Sequence, residues 1–327
     1  MKHGVVYAKT EDGVELPVID VTNPAFAVRA TDGELAAMTE QYIRESEERK
    51  EIPPEVRQAL QKSMLGKALM AASGTFLDGM STYVLKLGPE NLGAEASPIE
   101  RRIAASFPAF TARLRLVDMA RLLADGLAAR LGAAPLRNVC LVNIGGGAGA
   151  DSWNALIHVE TEHAEVLVGR KIVITVMDVD PRGAGFGARA IEALRGPTAA
   201  LSGLEIGFQY LSYEWSETER LRAALEELGG RDAVCGVSSE GGLFEYGSDE
   251  EIVANLKALH AGAAEDAFVV GSVTREGEAV RGSEGAHRVA TRPRTMEAFR
   301  SLAERGGWRV QEIVERPFSF HLRMVKG

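Results

Sequence analysis

The stretch that decides the fold is residues 138–153, NVCLVNIGGGAGADSW. A mostly apolar, strand-like run up to Ile144 is followed by five residues of which four are glycine. Glycine loses more conformational freedom on folding than any other residue, so such a run needs a structural reason. A strand that ends in a glycine turn and opens into a helix brings bare backbone N–H groups and a helix N-terminus towards a ligand. The stretch therefore predicts a strand, a tight turn and a helix that together form a binding cradle.

The sequence after residue 135 repeats this order of strand, turn and helix. The predicted strands are Val139–Ile144, Ile172–Met177, Glu205–Tyr210, Ala233–Val237 and Phe268–Val273. The clearest helices between them run from Ser216 to Leu228 and from Ser248 to Ala261. Short apolar strands that alternate with helices indicate a parallel sheet covered on both faces. A helix over 295–304 and two strands around Pro317 then predict an antiparallel hairpin that closes the sheet.

The first 134 residues have a different pattern and predict a mostly helical block. Alternation around a turn at Glu11–Gly13 predicts a short β-hairpin. Helices are predicted over 31–50, 54–72, 98–107 and 108–131. The segment 76–93 is rich in glycine and aromatic residues and is expected to be a loop with short elements. We therefore divide the chain into a helical N-terminal cap, residues 1–134, and an α/β domain, residues 135–327.

Composition narrows the classes of partner. The 327 residues are 46% hydrophobic and 25% charged, which is ordinary for a soluble globular protein. A net charge of −9 argues against nucleic acid, whose phosphates are bound by patches of Lys and Arg. No apolar run approaches the ~18 residues of a membrane span, and the first residues contain no secretory apolar segment. Two cysteines in apolar runs and six scattered histidines predict neither a disulfide nor a metal site. We expect a cytoplasmic protein with no nucleic-acid or membrane partner.

An acid stands at the end of the second predicted strand. Asp178, in TVMDVDP, lies where a carboxylate can accept hydrogen bonds from both ribose hydroxyls of a nucleoside. Together with Gly145, Gly147 and Gly149 and the closing hairpin, it makes residues 135–327 resemble the class I S-adenosylmethionine-dependent methyltransferases. The resemblance implies an α/β fold with a seven-stranded, Rossmann-like sheet, mostly parallel, which carries the helical N-terminal cap that the sequence pattern predicts.

The same resemblance implies a set of cofactor-binding residues. They are Asn143, Gly145, Gly147, Gly149, Asp178, Val179, Ser212, Tyr213, Ser238 and Ser239. By this likeness Val179 lies beside the adenine, and Ser212 and Tyr213 contact its edge. Ser238 and Ser239 end the fourth strand, where cofactor and acceptor meet in that family.

Two features depart from the family pattern. Asn143 stands where the family has an acid, and the spacing from Gly149 to Asp178 is longer than usual. No Asn/Asp-Pro-Pro motif follows the fourth strand, which argues against methylation of base amino groups or glutamine amides. A nicotinamide dehydrogenase is the main competing interpretation, because Gly145, Gly147 and Ala150 satisfy G-x-G-x-x-G/A. The mid-chain position of the turn, the distant Asp178 and the closing hairpin argue against it.

Methyl transfer needs alignment of the acceptor and exclusion of water, with a general base only if the acceptor loses a proton early. Three catalytic candidates follow. Glu240 lies in SSEGGLFEY, which leaves the fourth strand, and the alternative is an ordinary loop carboxylate. His287 lies in a polar loop after the fifth strand, and the alternative is a surface histidine. Tyr83, with Lys86, lies in the segment 76–93 that could cover the site, and the alternative is packing between the two blocks.

We therefore expect an enzyme that uses S-adenosyl-L-methionine to methylate a small-molecule acceptor, and a homodimer is compatible with this. Other chemistry of the same cofactor stays open, namely aminocarboxypropyl transfer or cyclisation of that chain with release of methylthioadenosine. An NAD(P)-dependent oxidoreductase and a non-catalytic cofactor-binding protein are the further alternatives.

Overall fold

The computed structural model describes residues 2, 4–48, 53–72, 75–134, 137–228, 233–277, 279–280 and 290–327. Its strands are β1 (Tyr7–Lys9), β2 (Glu15–Pro17), β3 (Asn138–Ile144), β4 (Lys171–Asp178), β5 (Glu205–Ser212), β6 (Ala233–Ser239), β7 (Phe268–Thr274), β8 (Trp308–Glu315) and β9 (Ser319–Lys326). Strands β1 and β2 form a small antiparallel hairpin around the predicted turn. The other seven strands form one sheet in the order β5-β4-β3-β6-β7-β9-β8.

Strands β3 to β7 pair in parallel, as their continuous apolar sequences predict. Strand β9 pairs antiparallel with both β7 and β8, which confirms the closing hairpin. The chain moves from β3 outwards through β4 and β5, then returns to the other side of β3 with β6. This reversal leaves a crevice beyond the carboxyl ends of β3 and β6, the place where open α/β sheets bind ligands. The predicted fold class, the seven-stranded methyltransferase sheet, is confirmed.

Helices lie before the sheet and between its strands. They are α1 (Asp32–Glu48), α2 (Pro54–Lys62), α3 (Met64–Ala71), α4 (Gly79–Leu87), α5 (Pro98–Ala104), α6 (Phe107–Ala133), α7 (Ala150–His163), α8 (Pro181–Leu194), α9 (Thr218–Glu227), α10 (Leu243–Tyr246), α11 (Asp249–Gly262) and α12 (Met296–Arg305). None of the helices among the described residues has the length and apolarity needed to cross a lipid bilayer.

One prediction for the N-terminal block was wrong. The single helix expected over 54–72 is two helices, because Ser63 leaves the helical conformation and its hydroxyl caps α3 by accepting from Gly66 N. The segment 76–93, expected to be a loop with short elements, contains the helix α4. Asp78 caps this helix by accepting from Ser81 N at 3.0 Å. Helix α4 matters for the site because it carries side chains into the crevice.

Helix α6 joins the N-terminal block to the sheet. Its buried residues Leu116, Leu123 and Leu127 belong to the same apolar core as Leu141 of β3 and Phe268 of β7. The helix also carries a buried acid, Asp118, which binds the closing hairpin. Asp118 accepts from the Arg316 guanidinium at 2.7 and 2.9 Å, and its Oδ2 lies 2.8 Å from Nδ1 of His321. The hairpin is therefore fixed to α6 by charge as well as by apolar packing.

Candidate active site

A cavity of about 290 Å³ opens at the carboxyl edge of the parallel strands. Its walls are the glycine turn after β3 and the residues that follow β4, β5 and β6, and α4 closes one side. The cavity thus lies at the crevice that the strand order creates. Among the described residues, no group of three His, Cys, Asp or Glu side chains is arranged to hold a metal ion.

The glycine turn has a backbone that other residues do not adopt easily. Gly145, Gly147 and Gly149 have φ angles of 64°, 55° and 73°, in the left-handed region where a Cβ is strained. Gly149 ends the turn at the N-cap of α7. Gly145, Gly146 and Gly147 line the cavity, so they present main-chain atoms to a bound molecule.

The glycines of the turn are also required by the packing of the chain itself. A Cβ on Gly79, the first residue of α4, would lie 2.6 Å from the Cα of Gly147. A Cβ on Gly183 of α8 would lie 2.5 Å from the carbonyl carbon of Gly147. Both distances are shorter than real Cβ contacts, so three backbones meet at one point. The turn consists of glycines partly because α4 and α8 pack directly against its main chain.

Asp178 holds the turn from the adjacent strand. Its Oδ2 accepts from Gly147 N at 2.9 Å, and its Oδ1 accepts from Asp180 N at 3.0 Å. The carboxylate also lines the cavity, and burial raises the pKa of Asp178. Val179, the next residue, lines the cavity with about half of its surface exposed. Asp178 is therefore placed both to shape the turn and to contact a ligand.

Asn143 lies beneath the turn rather than in the cavity wall. A Cβ on Gly146 would coincide with the Asn143 amide oxygen, at 1.1 Å, so the amide fills the space under that glycine. Asn143 Nδ2 donates to Asp151 and, at 3.0 Å, to the Ser238 hydroxyl. Asp151 of α7 is fully buried, and its burial and the nearby Glu240 charge raise its pKa to about 6. An acid is thus present under the turn, eight positions after the one where the family motif carries it.

The other predicted cofactor residues have mixed positions. Ser212 is exposed at the end of β5, and Tyr213 lines the cavity while its hydroxyl donates to Asn255. The Ser238 hydroxyl accepts from Asn143, as described above. The Ser239 hydroxyl donates to Ile144 O and accepts from Leu243 N, both at 2.9 Å. Both serines therefore tie β6 to its neighbours, and a direct contact with a cofactor stays a prediction for them.

Glu240 lies in a buried network of charged groups at the floor of the cavity. Its Oε2 accepts from the Lys86 ammonium, and its Oε1 accepts from Arg115 Nε at 2.8 Å. Arg115 also donates to both oxygens of Glu245, at 3.1 and 3.2 Å, and the Ser272 hydroxyl donates to Glu245 at 2.7 Å. Burial alone would raise the pKa of Glu240, but the charges of Lys86 and Arg115 hold it at about 2. Glu240 is therefore a permanent carboxylate at neutral pH.

Of the two remaining catalytic candidates, Tyr83 lies among the described residues. The Tyr83 ring lines the cavity, but its hydroxyl donates to Pro17 O at 2.8 Å and accepts from Ile19 N at 2.9 Å. These two bonds tie α4 to the N-terminal hairpin, and burial raises the pKa of Tyr83. His287 lies outside the described residues. Catalysis by Tyr83, His287 or Glu240 stays a prediction.

The cavity has a strongly acidic lining. Of its charged lining residues, one is basic, Lys86, and six are acidic: Asp78, Asp178, Asp180, Glu214, Glu240 and Glu251. Arg182 neutralises part of this charge by pairing with Asp180 at 2.6 Å. A cavity with a carboxylate excess favours a cationic ligand and disfavours a polyanionic one. The described geometry thus combines a bare backbone turn, a strand-end acid and a negative field.

Sequence reasoning missed four residues that build this site, namely Gly79, Arg115, Asp151 and Glu245. Gly79 is the second residue of an Asp78-x-x-Ser81 sequence that could have indicated the start of a helix. Asp151 lies two positions after Gly149, the last glycine of the turn. It could have been considered as the acid that replaces the one missing at Asn143. Arg115 and Glu245 meet across 130 positions, and nothing local announces that contact.

No protein-family model matches the chain, and no curated protein matches it in sequence. Several solved structures are similar. One, described as a possible exported protein from Bordetella parapertussis, is 17% identical over 93% of this chain and 99% of its own, with a TM-score of 0.56. The pyocyanin biosynthetic protein PhzM is 15% identical over 98% of this chain and 80% of its own, with a TM-score of 0.44. The magnesium protoporphyrin IX methyltransferase from Synechocystis PCC 6803 is 16% identical over 68% and 88%, with a TM-score of 0.42.

The first of these likenesses shows that the fold, over 93% of this chain, occurs in another protein. The strand order and the closing hairpin of this chain are those of the Rossmann-like class I methyltransferase fold.

Proposed function

We propose that the chain transfers a methyl group from S-adenosyl-L-methionine to a small-molecule acceptor. The observation that carries the proposal is the combination of the glycine turn, Asp178 and a carboxylate-rich lining in one cavity. S-adenosylmethionine carries a nucleoside and two positive groups, the sulfonium and the ammonium. The bare turn fits a nucleoside held close to the main chain, and the acidic lining fits the positive charges. Bound there, the cofactor supplies an electrophilic methyl group on sulfur.

Each part of the site has a distinct task in this proposal. Asp178 accepts hydrogen bonds from the ribose hydroxyls and keeps Gly147 in position. Val179 and Trp215, which both line the cavity, provide apolar contacts for the adenine. Helix α4 covers one side of the cavity and excludes water, which strengthens every electrostatic contact inside. The buried network of Lys86, Glu240 and Arg115 fixes the floor against which the acceptor lies.

The acidic lining also separates this proposal from a dinucleotide enzyme. NADH carries a pyrophosphate with two negative charges, which the excess of carboxylates in the lining would repel. Calorimetric titration of the purified protein with S-adenosylmethionine and with NADH tests the difference. We expect binding of the first and none of the second. Affinity for NADH alone would overturn the proposal.

The product identifies the reaction. Incubation with S-adenosylmethionine and a small-molecule extract as the source of acceptors should release S-adenosylhomocysteine, detected by mass spectrometry. Release of methylthioadenosine would instead indicate transfer or cyclisation of the aminocarboxypropyl chain. Binding of S-adenosylmethionine without turnover of any extract would favour a non-catalytic cofactor-binding protein.

We further propose that residues 1–134 supply the acceptor side of the cavity and residues 135–327 the cofactor side. Lys86 and Phe76 support the first assignment, and the glycine turn with Asp178 supports the second. Cys140 and Cys235 are both free thiols, which fits a reducing compartment such as the cytoplasm.

A further inference from the structure

The Lys86 ammonium is a buried charge with fewer partners than it can use. A lysine ammonium has three N–H donors. Among the described residues, Glu240 is the one acceptor that Lys86 contacts. The side chain is only 6% exposed, yet it lines the cavity. Because buried donors are nearly always paired, the two remaining N–H groups indicate a ligand atom that accepts hydrogen bonds.

The network behind Lys86 prevents it from finding another partner by moving. Both oxygens of Glu240 are occupied, one by Lys86 and one by Arg115. Arg115 is in turn held by Glu245, and Glu245 by Ser272. The ammonium is therefore fixed before any ligand arrives, which reduces the entropy lost on binding. Burial lowers the pKa of Lys86 despite the Glu240 charge, so a second negative group beside the ammonium would offset part of the cost of burying it.

Part of the cavity lining is apolar and aromatic. Phe76 is half exposed, and its ring meets Tyr246 edge to face with 6.3 Å between centroids. Trp215 and Val179 also line the cavity, but the proposed function assigns them to the adenine, so Phe76 and Tyr246 form the aromatic wall for the acceptor. A molecule that fills this space contacts aromatic and apolar groups with its body and reaches a single cation with one polar atom. Flat apolar molecules fit such aromatic walls well.

We propose that the Lys86 ammonium binds the oxygen of the acceptor and stabilises it as an oxyanion, and that the acceptor is a planar, apolar molecule bearing an acidic hydroxyl, such as a phenol or an enol. The inference rests on the proposed function and assigns the acceptor class of the same site. On binding, the acceptor O–H bond breaks, its electron pair stays on the oxygen, and its proton passes to solvent water. The Lys86 ammonium then pairs with Glu240 on one side and with the new oxyanion on the other. An acceptor that carries an amine in place of the hydroxyl forms no oxyanion and so gains no such ion pair.

Two probes of nearly equal shape test the assignment, para-nitrophenol and para-nitroaniline, each titrated into protein saturated with S-adenosylhomocysteine. We expect para-nitrophenol to bind at least about tenfold more tightly. It should appear as the coloured phenolate at a pH where the free phenol is protonated, with its apparent pKa lowered by about one unit. Lys86→Met should abolish both effects, and Lys67→Met, at an exposed lysine of α3, should leave both unchanged.

Lys86→Met leaves one Glu240 oxygen without its partner, so the double variant Lys86→Met/Glu240→Gln serves if the single variant does not fold. Equal binding of the two probes, no binding of para-nitrophenol, or an unchanged preference in the Lys86 variants would each overturn the assignment. Calorimetry with S-adenosylmethionine on the same samples distinguishes failure of the Lys86 assignment from failure of the proposed function. Retained cofactor affinity would leave the proposed function standing, whereas its absence in the unaltered protein would remove the proposed function itself.

Discussion

Gly79 and Gly147 lie backbone against backbone, so that a Cβ on either glycine would come within 2.8 Å of the other's Cα. The first belongs to the N-terminal block and the second to the glycine turn after β3. The first residue of α4 therefore packs directly against the main chain of the turn. This helix carries Tyr83 and Lys86 into the cavity. Its position requires glycine, which has no side chain, at both 79 and 147.

Gly79→Ala should separate α4 from the turn. A methyl group forced into a backbone contact costs about 1–3 kcal/mol of stability, as overpacking does elsewhere. We also expect the affinity for S-adenosylmethionine to fall by about tenfold or more, measured by calorimetry, because the wall of the cavity moves. Gly33→Ala is the matched control, since nothing lies within 4 Å of the added Cβ in α1. It should be neutral or stabilising by up to about 1 kcal/mol. Similar behaviour of both variants would contradict the contact.

Arg115→Met should destabilise the protein far more than the loss of an ordinary ion pair. It leaves Glu240 and Glu245 buried without their shared cation, and breaking a buried pair costs about 3–5 kcal/mol. Arg121→Met, on the same helix, removes a guanidinium that is 40% exposed and paired with Glu162. That change should cost less than about 1 kcal/mol. Urea unfolding of both variants provides the comparison, and addition of Glu245→Gln to Arg115→Met should recover part of the loss. Equal losses in the two single variants would refute the buried network.

Asp151 should make stability depend on pH in a defined direction. Its pKa in the folded protein, about 6, lies above the 3.8 of an exposed aspartate. The stabilising contribution of the protonated form is therefore complete below 3.8 and is lost as the pH rises through 6. Asp151→Asn should leave stability nearly unchanged at about pH 4 and raise it by about 1–3 kcal/mol at about pH 8. Glu226→Gln, at an exposed acid of α9, should show no such difference. A gain that is the same at both pH values would remove burial of the charge as its cause.

Asp178→Ala should weaken S-adenosylmethionine binding by about 1–3 kcal/mol, the usual worth of hydrogen bonds to a charged group. Asp178→Asn separates two causes, because an amide oxygen can still accept from Gly147 N. If Asp178 acts only by holding the turn, the Asn variant should bind like the unaltered protein. If the carboxylate contacts the ribose, the Asn variant should lose a substantial part of the affinity. Unchanged binding in a folded Ala variant would exclude Asp178 from the site.

The parts of this protein that follow local rules could be predicted from the sequence. The five parallel strands are short apolar runs between turn residues, and their periodicity is visible without any tertiary information. The glycine turn and Asp178 lie directly at strand ends, so their meeting follows from the parallel arrangement. The closing hairpin is likewise marked by two β-rich runs around Pro317.

The missed features depend on contacts that are distant in the chain. Helix α4 begins with glycine, a poor helix former, and the reason for that glycine is its contact with Gly147. The floor of the cavity joins Lys86 and Arg115 to Glu240, across 154 and 125 positions. Asn143 was expected to face the cofactor, but the amide lies under Gly146 and contacts Asp151 instead. In each case a neighbour brought close only by folding decides the role of the residue.

The attachment of the closing hairpin to α6 also bears on the order in which the molecule assembles. Asp118 contacts His321, which follows it by 203 positions. Strand β9 lies in the sheet between β7 and β8, both of which precede it in the chain. The closing hairpin must therefore be synthesised before it can pair with β7 and before Asp118 can bind Arg316 and His321. Long-range closure of this kind slows folding and leaves apolar surfaces of α6 and β7 uncovered in the nascent chain. The edge of the sheet beyond β7 is thus closed only after β9 has been synthesised, although the turn that begins the cavity appears near the middle of the chain.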